Sequence, residues 1–271
     1  MKTVYDINII NIKPLEVAMK QTIKNVSLFL AICISISMLY GFTYDNNVKE
    51  GMISTDSVCE IFDVVDSTDD MENNYIGRLK AEEKDLNTFV FANGDGTNTM
   101  RVYSHPVKYI AEDGSIRDIA LEFKPKSGGG FVTADHEIIT KFESKLNKGI
   151  SLEYNDVEIM LVPKLGVSIE PTAELSADCK VVTYEMNDLT SFVYELTYAG
   201  FKEEIVVEKY TGQTKYEFTL LTNGLTLCEK YGSYHLSDAE GNVKANIGDI
   251  IVFTADERNN TMGTMTYETV R

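Results

Sequence analysis

Few residues in this 271-residue chain could do chemistry, and their spacing keeps them apart. Three histidines, His105, His136 and His235, show no HxH or HExxH arrangement and no neighbouring carboxylate at ligand spacing, so no metal site is predicted from them. His105 precedes Pro106 and reads as a polar residue in an extended pre-proline segment. The Asn-Gly-Asp-Gly-Thr-Asn-Thr run at 93–99 has some of the composition of a calcium loop. Phe91 would fall at its first ligand position and no bidentate glutamate closes it, so a hairpin turn is the better reading. No serine lies in a GxSxG elbow, and the Ser-Gly-Gly-Gly run at 127–130 lacks the Lys-Ser/Thr ending of a phosphate loop, which leaves a flexible connector. Glu203 and Glu204 form the densest acidic pair within a predicted strand. Neighbouring strand residues point to opposite faces, so the two cannot act as an acid/base pair, and a solvated sheet surface is expected. The catalytic, cofactor-binding and metal-binding sets are therefore all expected to be none.

The elements that would have to carry any site are strands. Between Val181 and Leu227, Phe192, Tyr194, Leu196 and Tyr198 alternate with Glu195, Thr197 and Ala199, and Tyr216, Phe218 and Leu220 alternate with Lys215, Glu217 and Thr219. Upstream, 89–92 faces 99–103 across Asn93, Gly94, Asp95 and Gly96, and 107–111 faces 116–123 across Asp113 and Gly114. These are two successive hairpins. Connections this short leave no room for crossover helices, which predicts an all-β fold with an antiparallel β-sandwich, or supersandwich, over 87–271. A short helix is expected within 72–86, weakened by Gly77. Residues 43–86 otherwise read as an acidic spacer.

The apolar stretch 26–42 (VSLFLAICISISMLYGF), with Lys20 and Lys24 before it and Asp45, Asn46 and Asn47 after it, has the layout of a secretory signal. Residues 1–42 are expected to be a cleaved signal peptide or a retained anchor, with Met19 an alternative start and a cut near Gly41. The whole chain carries a net charge of −17. Without 1–42 it would carry 21 basic and 40 acidic side chains and a net charge of −19. Such a surface argues against nucleic acid and anionic lipid as partners, and membrane contact is expected only through 26–42. Cys59, Cys179 and Cys228 would remain, an odd number without CxxC spacing that suggests free thiols rather than a disulfide framework.

Several phrases taken together carry a resemblance: YSHPVKYIAEDGSIRDI at 103–119, VTYE at 182–185, GFKEEIVV at 200–207, YEF at 216–218, GL at 224–225 and LSDAEG at 236–241. In this order they resemble the N-terminal region of exported bacterial proteins with DNRLRE domains or RHS (YD) repeats, including wall-associated proteins of Gram-positive bacteria. Ile116 stands where that family usually has Trp, and the sequence stops at TYETVR (266–271), before the family's later modules. The resemblance implies a non-catalytic extracellular β module, secreted or at the cell surface, serving attachment, display or delivery. It implies no cofactor, and it leaves surface glycan or downstream modules of the same polypeptide as partners. The alternatives are a carbohydrate-binding module, with tyrosines as a sugar-stacking platform, and a sugar-active supersandwich enzyme. The last strand, 261–271, is expected to need a neighbour from sequence beyond it.

Overall fold

The computed structural model describes residues 2–10, 26–30, 75–165, 170–209, 212–230, 233–254 and 260–270. Their regular secondary structure is nearly all strand, and every strand pairing among them is antiparallel. The chain divides into two compact units, 1–37 with 108–271, and 38–107. The hairpin at 88–102, expected to open the sandwich, thus belongs to the smaller unit.

The larger unit contains two broad sheets. One runs in the order Thr264–Val270, Lys2–Ile10, Lys215–Asn223, Val157–Pro163, Ile150–Tyr154, Ile139–Phe142, Phe131–Thr133, Phe123–Pro125. The other runs Ala173–Leu175, Val181–Asn187, Thr190–Thr197, Gly200–Val207, Val26–Leu30, Ile250–Thr254, Asn260–Met262. Their apolar faces meet. Phe142 of the first sheet lies 5.1 Å from Tyr194 and 5.9 Å from Phe201 of the second, and Phe192 of the second lies 6.3 Å from Phe218 of the first. Each such side chain, withdrawn from water, contributes about 1.5–3 kcal/mol, so this aromatic layer holds the sheets face to face. The alternation read from the sequence is realised: Phe192, Tyr194, Leu196, Tyr216, Phe218 and Leu220 are buried, and Glu195 and Glu217 are exposed. A third sheet, Thr226–Lys230, Ser233–Ser237 and Val243–Ile247, adds Leu227, Leu236, Ala245 and Ile247 to the same core.

The segment read as an export leader contributes two of these strands. Lys2–Ile10 lies inside the eight-stranded sheet with Tyr5, Ile7 and Ile9 buried, and Val26–Leu30 pairs with 200–207 on one side and 250–254 on the other. The remainder, 11–25 and 31–42, lies outside the described residues, as do the proposed cut near Gly41 and most of the acidic spacer. The neighbour expected for the last strand is present within the chain: Thr264–Val270 pairs with Lys2–Ile10.

The smaller unit is a three-stranded sheet of Tyr75–Arg78, Thr88–Asn93 and Asn98–Val102. The helix expected within 72–86 is replaced by the first of these strands and one 3-10 turn at Lys80–Glu82. An extended backbone here gains ladder bonds to 88–93 and a stack of Tyr75 on Phe91 at 4.6 Å, both of which a helix containing Gly77 would forgo. The turn at 93–97 closes a hairpin, with Gly96 at φ +86° and Asp95 accepting the Thr97 N–H at 2.9 Å. The run at 127–130 is a built turn rather than a slack connector. A Cβ on Gly130, at φ +77°, would lie 2.1 Å from the Phe142 carbonyl oxygen, so only glycine fits.

Candidate functional site

Alternation along the two strands of the 88–102 hairpin sends Phe89 and Phe91 to the same face as Arg101, which pairs in register with Phe89. Tyr75 and Arg78 join that face from the first strand, and Tyr103 and His105 continue it beyond the third. The result is a connected row of rings and guanidinium groups. Tyr75 stacks on Phe91 at 4.6 Å, Phe91 meets Phe89 edge-on at 6.4 Å, Phe89 meets Tyr103 at 5.5 Å, and Tyr103 meets His105 at 6.0 Å. The Arg78 guanidinium lies 4.1 Å from the centre of Phe89, and that of Arg101 lies 5.2 Å from Tyr75 and 5.5 Å from Phe91. All three cation–ring contacts are within the range in which the ring quadrupole attracts a cation.

Arg78 is held in place by its acid partner. Its Nε and Nη2 donate to the two oxygens of Glu83 at 2.6 and 2.7 Å, and Glu83 Oε1 also accepts the backbone N–H of Val90 at 3.2 Å. This bidentate pair fixes the plane of the guanidinium over Phe89. The rings and both arginines are half-buried rather than sealed. His105 Nδ1 lies 3.5 Å from Ser104 Oγ, and burial holds its pKa below the ordinary histidine range. Such an imidazole is neutral and able to accept a proton at neutral pH. The segment 75–107 contains four basic and four acidic side chains. It is therefore without net charge in a chain of −17, and the acidity lies elsewhere.

The other residues weighed from sequence are dispersed. His136 is buried in the larger unit; its Nδ1 accepts the Ile138 N–H at 2.9 Å and its Nε2 faces the Thr197 carbonyl at 3.1 Å, a structural histidine in one tautomer. His235 stands across the ladder from Cys228. Among the described residues Cys179 and Cys228 are free thiols, and no group of three or more His, Cys, Asp or Glu side chains could hold a metal ion. No helix among them is long and apolar enough to cross a membrane. A cleft of about 370 Å³ opens in the larger unit between Lys164, Asn187, Phe192, Lys215, Tyr216 and Glu217, with Lys215 paired to Glu217 at 2.7 Å.

Glu203 and Glu204 do point to opposite faces, but the solvated surface expected for both holds only for Glu204, which pairs with Lys202 at 2.5 Å. Glu203 is completely buried beside Phe201 and Ile205, accepts a hydrogen bond from the Tyr194 hydroxyl, and leaves Oε2 without a partner. Burial pushes its pKa up to about 8, so it is protonated at neutral pH. The sequence contains the signal for this: Phe201, Glu203, Ile205 and Val207 share one parity.

No family model and no solved structure matches the chain. Among curated proteins it is similar to the tRNA nuclease WapA of Bacillus subtilis (strain 168), at 26% identity over 191 residues. It is also similar to the tRNA(Glu)-specific nuclease WapA of B. subtilis subsp. natto, at 25% over 190 residues, and to the tRNA3(Ser)-specific nuclease WapA of Bacillus spizizenii, at 26% over 186. The matches cover 65%, 65% and 63% of this chain and 8% of each relative's length. They correct the expectation of a non-catalytic module for attachment, display or delivery, with no enzyme in view: the proteins this chain resembles are named as nucleases.

Proposed function

We propose that this chain is part of a tRNA-directed nuclease system of exported, wall-associated bacterial proteins, and that the open face of the 75–107 sheet is where RNA meets it. The observation that carries this reading is the row Tyr75, Phe91, Phe89 and Tyr103, flanked by Arg78 and Arg101 on a segment without net charge, in a chain similar to tRNA nucleases. An antiparallel sheet that displays aromatic rings at half exposure suits unpaired bases, which stack on them irrespective of identity, while guanidinium groups meet phosphates. The unpaired loops and 3′ end of a tRNA offer both. With Arg78 paired to Glu83, Arg101 is the main cationic contact, so binding depends on stacking more than on counterion release, and its salt dependence is shallow, about −0.7 in log–log slope for one single-strand phosphate. RNA cleavage requires a base to take a 2′-hydroxyl proton. His105 lies at the end of this row with its Nε2 buried, so to serve as that base its ring must turn outward. The DNRLRE/RHS-like phrases support export as the setting.

The test is incubation of the purified protein with deacylated tRNA, read by gel shift and on a denaturing gel. Retention of tRNA at low salt, weakened by Phe91→Ala, and cleavage lost in His105→Ala are the expected results. Binding without cleavage would keep the surface and remove the role of His105, and neither binding nor cleavage would sink the proposal.

A further inference from the structure

The cleft of the larger unit opens where four strands end together: Val157–Pro163 and Val181–Asn187 finish there, and Thr190–Thr197 and Lys215–Asn223 begin. At such an end, side chains of both parities border the same space, so core and surface residues line it in layers. Phe192 and Tyr216 are the deepest, 3% and 6% exposed and edge-on to each other at 6.4 Å. Met186 is half-buried, and Lys164, Asn187, Gln213 and Lys215 are exposed at the mouth. Two lysines against the single Glu217 give the lining one net positive charge, in a chain of −17.

The two amides at the mouth are each half used, and that use fixes which end of each is left. Asn187 Oδ1 accepts the Leu189 N–H at 2.9 Å, so its Nδ2 remains to donate. Gln213 Nε2 donates to the Lys215 carbonyl at 3.2 Å, so its Oε1 remains to accept. Neither remaining atom has a protein partner among the described residues. One donor and one acceptor over an apolar floor suit a nucleobase, which carries an acceptor and a donor on the edge of a flat ring. The cationic mouth suits a phosphate, and a neutral sugar would leave that charge unused. A volume of about 370 Å³ is near the bottom of the range for small-ligand sites, about 300–1,000 Å³, and so takes one nucleotide rather than several.

We infer that this cleft binds a single nucleotide, its base inward over Phe192 and Tyr216 between the Asn187 and Gln213 amides, and its phosphate outward at Lys164 and Lys215. The site belongs to the larger unit and does not rest on the tRNA reading of the 75–107 face.

The test is calorimetric titration of the full chain with the four ribonucleoside 5′-monophosphates, the matching nucleosides and a 5′-phosphorylated trinucleotide. At least one monophosphate is expected to bind, and its nucleoside at least about fivefold more weakly. Lys164→Ala and Gln213→Leu, both at exposed positions, should each weaken the monophosphate by about fivefold or more, and Glu217→Gln, which releases Lys215, should tighten it. A trinucleotide that binds as well as the monophosphate makes a chain end the natural ligand; one at least about tenfold weaker makes it the free nucleotide. No binding up to about 10 mM, or equal binding of nucleoside and nucleotide, would overturn the inference. So would binding lost in Phe91→Ala and unchanged in Gln213→Leu, which would put the nucleotide on the ring face instead.

Discussion

Two aromatic clusters in this protein are built from the same residue types and do opposite things. In the larger unit Phe142, Tyr184, Tyr194 and Phe201 are sealed between two sheets, and Glu203, buried beside them, is kept neutral by its surroundings. In the smaller unit Tyr75, Phe89, Phe91 and Tyr103 lie half-buried on a single sheet face, and the charges admitted are Arg101 and the Arg78–Glu83 ion pair. A closed cluster converts rings into cohesion; a half-buried one leaves part of their surface in contact with water. Composition does not distinguish the two. What does is whether a second sheet covers the face, and which sign of charge the rings must tolerate.

The contrast can be broken most forcefully in the closed cluster's layer. Phe218→Asp places a carboxylate at a fully buried position facing Phe192, and is expected to cost more than about 4 kcal/mol, read as loss of cooperative unfolding of the larger unit in urea. Glu203→Gln should act in the other direction and depend on pH. The carboxyl ionises at about 8 when folded, against 4.5 for its ordinary value, so the native state is favoured in full below about pH 4.5 and loses stability as pH rises to about 8. At roughly 1.4 kcal/mol per unit, the variant should be more stable than the parent by about 3 kcal/mol at pH 7 and nearer 5 above pH 8, with no difference from this source at pH 4. Urea midpoints across that range check it; a parallel offset at every pH would mean that Glu203 does not titrate in this window.

On the open face the expected stability change is small and the binding change is not. Phe91→Ala should lower stability by about 1 kcal/mol, since the ring is only half-buried, and weaken tRNA retention roughly five- to a hundredfold, the range for one stacked base. Equal losses in folding and binding would place Phe91 in a core. Smallest of all is Glu217→Lys, on the solvent side of the strand that carries Phe218, where a change within about 0.5 kcal/mol is expected despite the lost pair with Lys215.

Alternation made the sandwich legible at 190–197 and 215–223, because a strand with one wet and one dry face must write that difference into every second residue. The same rule, applied to the 200–207 strand, places Glu203 with Phe201 and Ile205; its charge obscures what its parity states. The ring-and-arginine face at 75–105 was legible only in halves, since Phe89 and Arg101 become neighbours through the hairpin register and Tyr75 arrives through a strand that propensity hides behind a helix-like stretch. The role of 2–10 was not legible. Pairing across more than two hundred residues has no local signature, and an apolar run at 26–42 draws the N-terminal segment into a different reading.

That distance also sets a clock. A ribosome adding about 5–20 residues per second makes Lys2–Ile10 some ten to forty seconds before it completes Lys215–Asn223, its longest partner. Throughout that interval Tyr5, Ile7 and Ile9 are synthesised but have nowhere of their own to go. The larger unit is thus a fold in which an early strand waits for partners made much later, and whatever attends the chain meanwhile meets that strand uncovered.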